Sequence, residues 1–311
     1  MTRGKFFLWL LAGPMSVLAA MLAVAHPHLA VTERSGGDVL VVEGWMQPPH
    51  LEQVAHLADS LRYQRIYTTG SVRPFAYYLR VGESIDVRFA SSIKGTLRLN
   101  VSGNTGGGFR VIAGQDTVLE RTVEPVPAVF VSAQEIITDH LLITSLNTGQ
   151  VDHDRDNIFI QFMSIGGENV HLLQTYTWFI RTDGKMEPAW PTYAHKAAAD
   201  LIQLGMNKDQ VIGVPSWGKP DSRSWANANY FAIRAQKDTL KSFDVVTVGV
   251  HARRSRELFR RACGSDMRVG VISLEDPNCP ASGWWRKRSG WIQILKEIGG
   301  SSEPIAVDLT H

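Results

Sequence analysis

Three carboxylates stand at alternating positions in one loop: Asp152, Asp154 and Asp156, with Asn147, Gln150 and Asn157 around them. Carboxylates, amide oxygens and backbone carbonyls at this density suit a hard cation that takes about six to eight oxygen ligands. The expected cofactor is Ca2+, with Asp152, Asp154, Asp156 and Asn157 as ligands. The glycine and terminal glutamate of an EF-hand loop are missing, and the same residues would also make an acidic, solvated turn. A second chemistry-bearing segment is His251-Ala252-Arg253-Arg254-Ser255, directly after the apolar run Val248-Gly249-Val250. Imidazole moves protons near neutrality, and guanidinium groups grip phosphate, sulfate or carboxylate. A third is Glu43-Gly44-Trp45, after the apolar run Val39–Val42, and a fourth is Asp221-Ser222-Arg223-Ser224, ahead of a helical stretch. In the fourth, Asp221 or Ser224 either caps that helix or helps its N–H groups hold an anion.

The elements that must position these residues fall into two patterns. Short apolar, β-branched runs at Val39–Val42, Arg65–Thr69, Val211–Val214, Val245–Val250 and Val269–Ser273 alternate with helical stretches at 49–61, 195–204, 225–240 and 253–263. Strands buried on both faces and separated by helices predict a doubly wound, Rossmann-like parallel sheet. Between its halves, the runs at 84–89, 96–101, 109–112, 117–122, 128–131, 140–144 and 158–163 are short and separated by Gly, Asn and Asp clusters. That spacing predicts a β-sandwich. The expected class is α/β, with an all-β sandwich over 72–173 inserted into a host domain formed by 38–71 and 174–300. The polar segments at the host's strand ends, with Gly70 closing the second strand, then converge on the carboxyl edge of its sheet, where open α/β sheets take their ligands. No G-x-G-x-x-G and no Walker A sequence follows any strand, which argues against dinucleotide and P-loop chemistry.

The formal net charge is +2, and no basic stripe with interleaved aromatics is present, so nucleic acid is not an expected partner. One basic cluster, Arg286-Lys287-Arg288, sits beside Trp284 and Trp285. At the N-terminus, Arg3 and Lys5 precede an apolar run from Phe6 to Ala25, about the length that crosses a bilayer. Residues 1–30 are expected to be an inner-membrane anchor with the folded part periplasmic or extracytoplasmic. Ala23-Val24-Ala25 also fits a cleaved signal peptide. In an oxidising compartment Cys263 and Cys279 pair in a disulfide, or else stand as two unrelated thiols.

Glu43-Gly44-Trp45, Thr68-Thr69-Gly70, Asp221 to Ala228, Val250 to Ser255, Trp284-Trp285, Gly290 and Glu297 together resemble the YdcF/SanA/ElyC-like envelope family. Ala226 stands where that family often has a glutamate. The resemblance implies a Rossmann-like host with a pocket for an anionic small molecule, and no particular reaction. The stretch from Asn147 to Phe162 resembles calcium-dependent xylan-binding carbohydrate-binding modules, with Thr148 in the place of the first aspartate and Asp156 between Arg155 and Asn157. That resemblance implies a metal that coordinates sugar hydroxyls directly.

The function expected from the sequence is binding of a polysaccharide by the insert through calcium, while the host holds an anionic small molecule. Its contacts are expected among Glu43, Gly44, Trp45, Gly70, Asp221, Arg223, Ser224, His251, Arg253, Arg254 and Ser255, with His251 and Arg253 foremost. The alternative is an enzyme acting on an envelope glycan or lipid-linked precursor, with His251 as general base oriented by Asp221 or Glu43.

Overall fold

The computed structural model describes residues 21–147, 156–217 and 222–300. By their contacts they form two compact units. The first comprises 21–70, Ala197–Pro215 and 222–300; the second comprises 71–147, 156–196 and 216–217.

The first unit is built on a five-stranded sheet. Its strands are β1 (Val39–Glu43), β2 (Arg65–Ser71), β14 (Val211–Ser216), β15 (Ser242–Val248) and β16 (Arg268–Leu274), in the order β14-β2-β1-β15-β16. β1 runs parallel to both β2 and β15, and β15 parallel to β16. All five residues of β1 are buried, as a central strand covered on both faces requires. The helices are α1 (residues 21–29), α2 (Pro48–Ser60), α4 (Tyr193–Gln203), α5 (Arg223–Lys237), α6 (Ala252–Cys263) and α7 (Arg288–Gly300). One apolar cluster joins Leu40, Val42 and Ile66 to Leu51 and Val54 of α2, and another joins Val41 and Tyr67 to Phe231 of α5 and Phe259 of α6.

The second unit has two antiparallel sheets around one core. The smaller contains β3 (Tyr77–Arg80), β5 (Leu97–Gly103), β8 (Ala128–Val131), β10 (Asp156–Ile165) and β11 (Glu168–Asn169); its main path is β11-β10-β5-β8, with β3 paired to β10. The larger has β4 (Ser84–Gly95), β6 (Gly107–Ala113), β7 (Asp116–Thr122), β9 (Ile136–Asn147), β12 (Gln174–Ile180) and β13 (Met186–Pro188), in the order β13-β12-β4-β9-β6-β7. A short helix, α3 (Val170–Leu173), joins them, with Asn169 capping it by accepting from the His171 N–H. Phe75, Leu79, Val87, Phe109 and Ile160 are fully buried between the sheets.

Three expectations are corrected. The expected fold class combined a parallel host sheet, one sandwich and a membrane helix; the structure has one parallel and two antiparallel sheets, and no helix among the described residues is long and apolar enough to cross a membrane. The described end of the apolar run lies in α1, which turns inward. Leu22, Ala25 and Leu29 pack on Val250, Cys279, Trp284 and Ile294, and His26 Nε2 meets the Cys279 carbonyl at 3.0 Å. The membrane partner and the inner-membrane placement that rested on this helix are withdrawn; residues 1–20 lie outside the described residues. The disulfide is also absent. Cys263 and Cys279 are both free thiols, because Cys263 packs beside the Phe231–Phe259 cluster and Cys279 beneath α1. Burial pushes their pKa values up to about 12 and about 11.

Candidate functional site

The carboxyl edge of the parallel sheet gathers six of the expected residues: Glu43, Gly44, Trp45, Gly70, His251 and Ser255. β1 ends at Glu43, whose side chain is buried, and the Gly44 N–H donates to the Thr69 carbonyl at 2.6 Å. That bond ties the turn after β1 to the end of β2, just before the buried Gly70. β15 ends at Val248, and a single 3-10 turn over Gly249–His251 carries the chain into α6. Gly249 has φ of +55°, the left-handed conformation glycine adopts without strain. Its Cα faces the buried Asp276, whose Cβ lies 3.0 Å from where a Gly249 side chain would begin. The turn delivers Ser255 to Glu43: the Ser255 hydroxyl donates to Glu43 Oε2 at 2.9 Å. Burial raises the Glu43 pKa above the ordinary carboxylate value, opposed by the Thr247 and Ser255 hydroxyls, His251 and Trp45. The Trp45 ring meets the His251 ring edge to face, with centroids 5.3 Å apart.

Glu297, named in the family resemblance but not among the expected contacts, completes the arrangement. Glu297 of α7 is buried, and its Oε1 lies 2.7 Å from His251 Nδ1 and 3.7 Å from Arg254 Nη1. A carboxylate at that distance places a proton on Nδ1 and leaves Nε2 as the second ring nitrogen of a partly exposed imidazole. The placement of Glu297 follows from helix spacing: it stands three positions after the buried Ile294, so it shares the inward face.

The two arginines divide differently from expectation. Arg254, rather than Arg253, shares the carboxylate of His251. Arg253 turns toward α1, where its Nη1 lies 3.1 Å from His28 Nδ1. Both line a cavity of about 840 Å³. Arg253, Arg254, Arg256, Arg260 and Arg261 border it, against Glu33, Glu257 and Glu297. Arg256 is held by Glu33 through two bonds of 2.8 Å, and Arg260 and Arg261 share Glu257. Among the described residues Arg253 has no carboxylate partner, so the lining is net positive.

Of the fourth segment, Ser222 lines the same cavity. Ser222 is the N-cap of α5, its side chain accepting from the Trp225 N–H at 3.4 Å, in place of the expected Asp221 or Ser224. Asp221 lies outside the described residues. Among the described residues no hydrogen bond or ion pair links Arg223 or Ser224 to Glu43, His251 or Glu297.

In the second unit, Asp152 and Asp154 lie outside the described residues, and Asp156 opens β10 opposite Arg80 of β3. Asn157 is buried; its Nδ2 donates to Ser145 Oγ and to the Leu146 carbonyl, each at 2.9 Å. Its Oδ1 is buried with no hydrogen-bond partner among the described residues, an oxygen of the kind a hard cation takes. No cluster of three or more His, Cys, Asp or Glu side chains suited to a metal occurs among the described residues.

No protein-family model matches the chain, and no curated protein matches it. It is similar to a solved family two carbohydrate esterase from Cellvibrio japonicus, at 10% identity over 74% of this chain and 98% of that one, with a TM-score of 0.20. At that score the likeness bears on neither fold nor chemistry.

Proposed function

We propose that the parallel-sheet unit holds a small anionic molecule and that the antiparallel unit binds a polysaccharide with the help of calcium. The observation that carries the first half is the arginine-lined cavity, where five guanidinium groups face three carboxylates. An anion restores the balance, and Arg253 and Arg254 offer the planar donors that suit phosphate or carboxylate. Supporting the second half are the oxygen-rich loop from Asn147 to Asn157 and the buried Asn157 Oδ1 at its end. When bound, calcium supplies coordination of sugar hydroxyls, with Asn157 and the three loop aspartates as its ligands.

A ligand that binds only the folded chain raises its melting temperature by mass action. Thermal melts of the full chain with millimolar inorganic phosphate, sulfate or citrate test the anion half. The expected result is a rise with at least one anion that the Arg253→Ala variant loses. No rise with any of the three, or an equal rise in the variant, overturns it.

A second reading, an enzyme, is favoured by one observation: the pairing of His251 Nδ1 with the buried Glu297. That contact holds the ring for proton transfer at Nε2, as a general base requires. A His251→Gln variant separates the readings. An enzyme loses turnover of phosphate or carboxylate esters and retains anion binding, whereas a binding protein shows no turnover in either form.

A further inference from the structure

Tyr78 is a large aromatic residue left 55% exposed on the edge strand β3. Its ring is stacked on Phe159 of β10, with centroids 4.1 Å apart and planes 12° from parallel. The stack fixes the Tyr78 ring, so that one face rests on protein and the other is presented flat. Beside it lies a cavity of about 550 Å³, lined by Tyr78, Arg80, Glu83, Arg181, Thr182 and Asp183. That volume falls within the range of about 300–1,000 Å³ typical of small-molecule sites.

The charges of this cavity are already balanced, two guanidinium groups against two carboxylates. Glu83 is buried and accepts from the Arg80 backbone N–H at 2.9 Å and from Arg181 Nη1 at 3.0 Å. Arg181 is also held by Glu187 at 2.9 Å. Both cationic and anionic ligands therefore meet a compensated wall. A hydroxyl donates and accepts at once, so adjacent hydroxyls of a sugar match side-by-side guanidinium and carboxylate groups, and the apolar face of a pyranose ring matches the open face of Tyr78.

We propose that this cavity is a sugar subsite, seating one or two uncharged residues of a polysaccharide chain against Tyr78, through contacts that need no metal. The inference rests on the reading that the antiparallel unit binds a polysaccharide, and it names the class: a neutral glycan.

The test is calorimetric titration of the full chain with soluble neutral arabinoxylan and, as an acidic counterpart, polygalacturonate, each with calcium and with a chelator. The wild type is expected to prefer arabinoxylan and to keep weak binding under chelation. Tyr78→Ala is expected to weaken arabinoxylan binding about tenfold in calcium and abolish it in chelator, while Tyr78→Trp restores it. Thr182→Trp, which adds bulk to the cavity and keeps both Tyr78 and Phe159, is expected to act like Tyr78→Ala and guards against a folding defect in that variant. If arabinoxylan binds and neither Tyr78→Ala nor Thr182→Trp weakens it, the subsite is wrong and the polysaccharide reading stands. Preference for polygalacturonate overturns the neutral class. If the wild type binds neither glycan, the polysaccharide reading and the subsite fall together.

Discussion

The Glu43 carboxyl is wholly withdrawn from water, so the fold accommodates its neutral form better than its charge. A raised folded pKa means that this stabilising contribution is complete below the ordinary value of 4.5 and fades as pH rises through the raised one. Glu43→Gln keeps an oxygen for the Ser255 hydroxyl and removes the titration. Denaturant melts between pH 5 and 8 are expected to show a stability loss in the wild type that the variant lacks; equal pH dependence contradicts it. The second unit carries a residue of opposite sign. His171 Nδ1 lies 3.0 Å from the Arg73 carbonyl and Nε2 lies 2.6 Å from the Tyr77 hydroxyl, which together hold a neutral ring donating at Nδ1 and accepting at Nε2. Burial pushes its pKa down to about 4, so its contribution is complete above the ordinary 6.5 and is lost as pH falls toward 4. The loss amounts to about 3 kcal/mol. The His171→Gln variant is expected to be less stable at pH 7 yet to lose less on acidification, measured by melts at pH 7 and 4.5; parallel losses contradict that. His251 and Ser255 were legible because they follow an apolar strand run, where ligand sites of parallel sheets lie. The division of labour between Arg253 and Arg254 was not, because it depends on the α1 and α7 side chains that each meets.

Secondary elements with local signals were read well, and those made by distant pairing were not. The β-branched run Val39–Val42 is β1 with one residue added, and the helical stretch at 253–263 is α6 with one residue added. By contrast, β3 is four residues long, and β12 and β13 follow α3, beyond the last run of the insert with a strand pattern, 158–163. β3 and β12 owe their identity to antiparallel pairing with β10 and β4, far away in sequence, and β13 then pairs with β12. The described end of the apolar run shows a related limit: Leu22 and Ala25, apolar residues that can face lipid, pack on Trp284 and Ile294 instead. The element that carries Glu297 has its own steric requirement. A Cβ on Gly290, near the start of α7, would lie 2.3 Å from the Trp284 backbone carbonyl. Gly290→Ala is therefore expected to destabilise the parallel-sheet unit by about 1–3 kcal/mol and to loosen the Glu297–His251 contact. A chemical-denaturation curve superimposable on the wild type would show that the helix start can shift instead.

Taken whole, the molecule has separate apolar cores in its two units, one between the antiparallel sheets and others against the faces and edge of the parallel sheet. Calorimetry of the full chain is expected to resolve two transitions. Millimolar calcium is expected to raise the one that His171→Gln moves and leave the other in place; calcium that moves neither transition removes the metal from the account. The central claim concerns the other unit: its arginine-lined cavity takes an anion. A crystal structure of the full chain grown in inorganic phosphate tests it most directly. The expected result is a phosphate in the cavity, within hydrogen-bond distance of Arg253 and Arg254. Saturating phosphate that leaves the cavity empty, or binds only elsewhere on the surface, contradicts it.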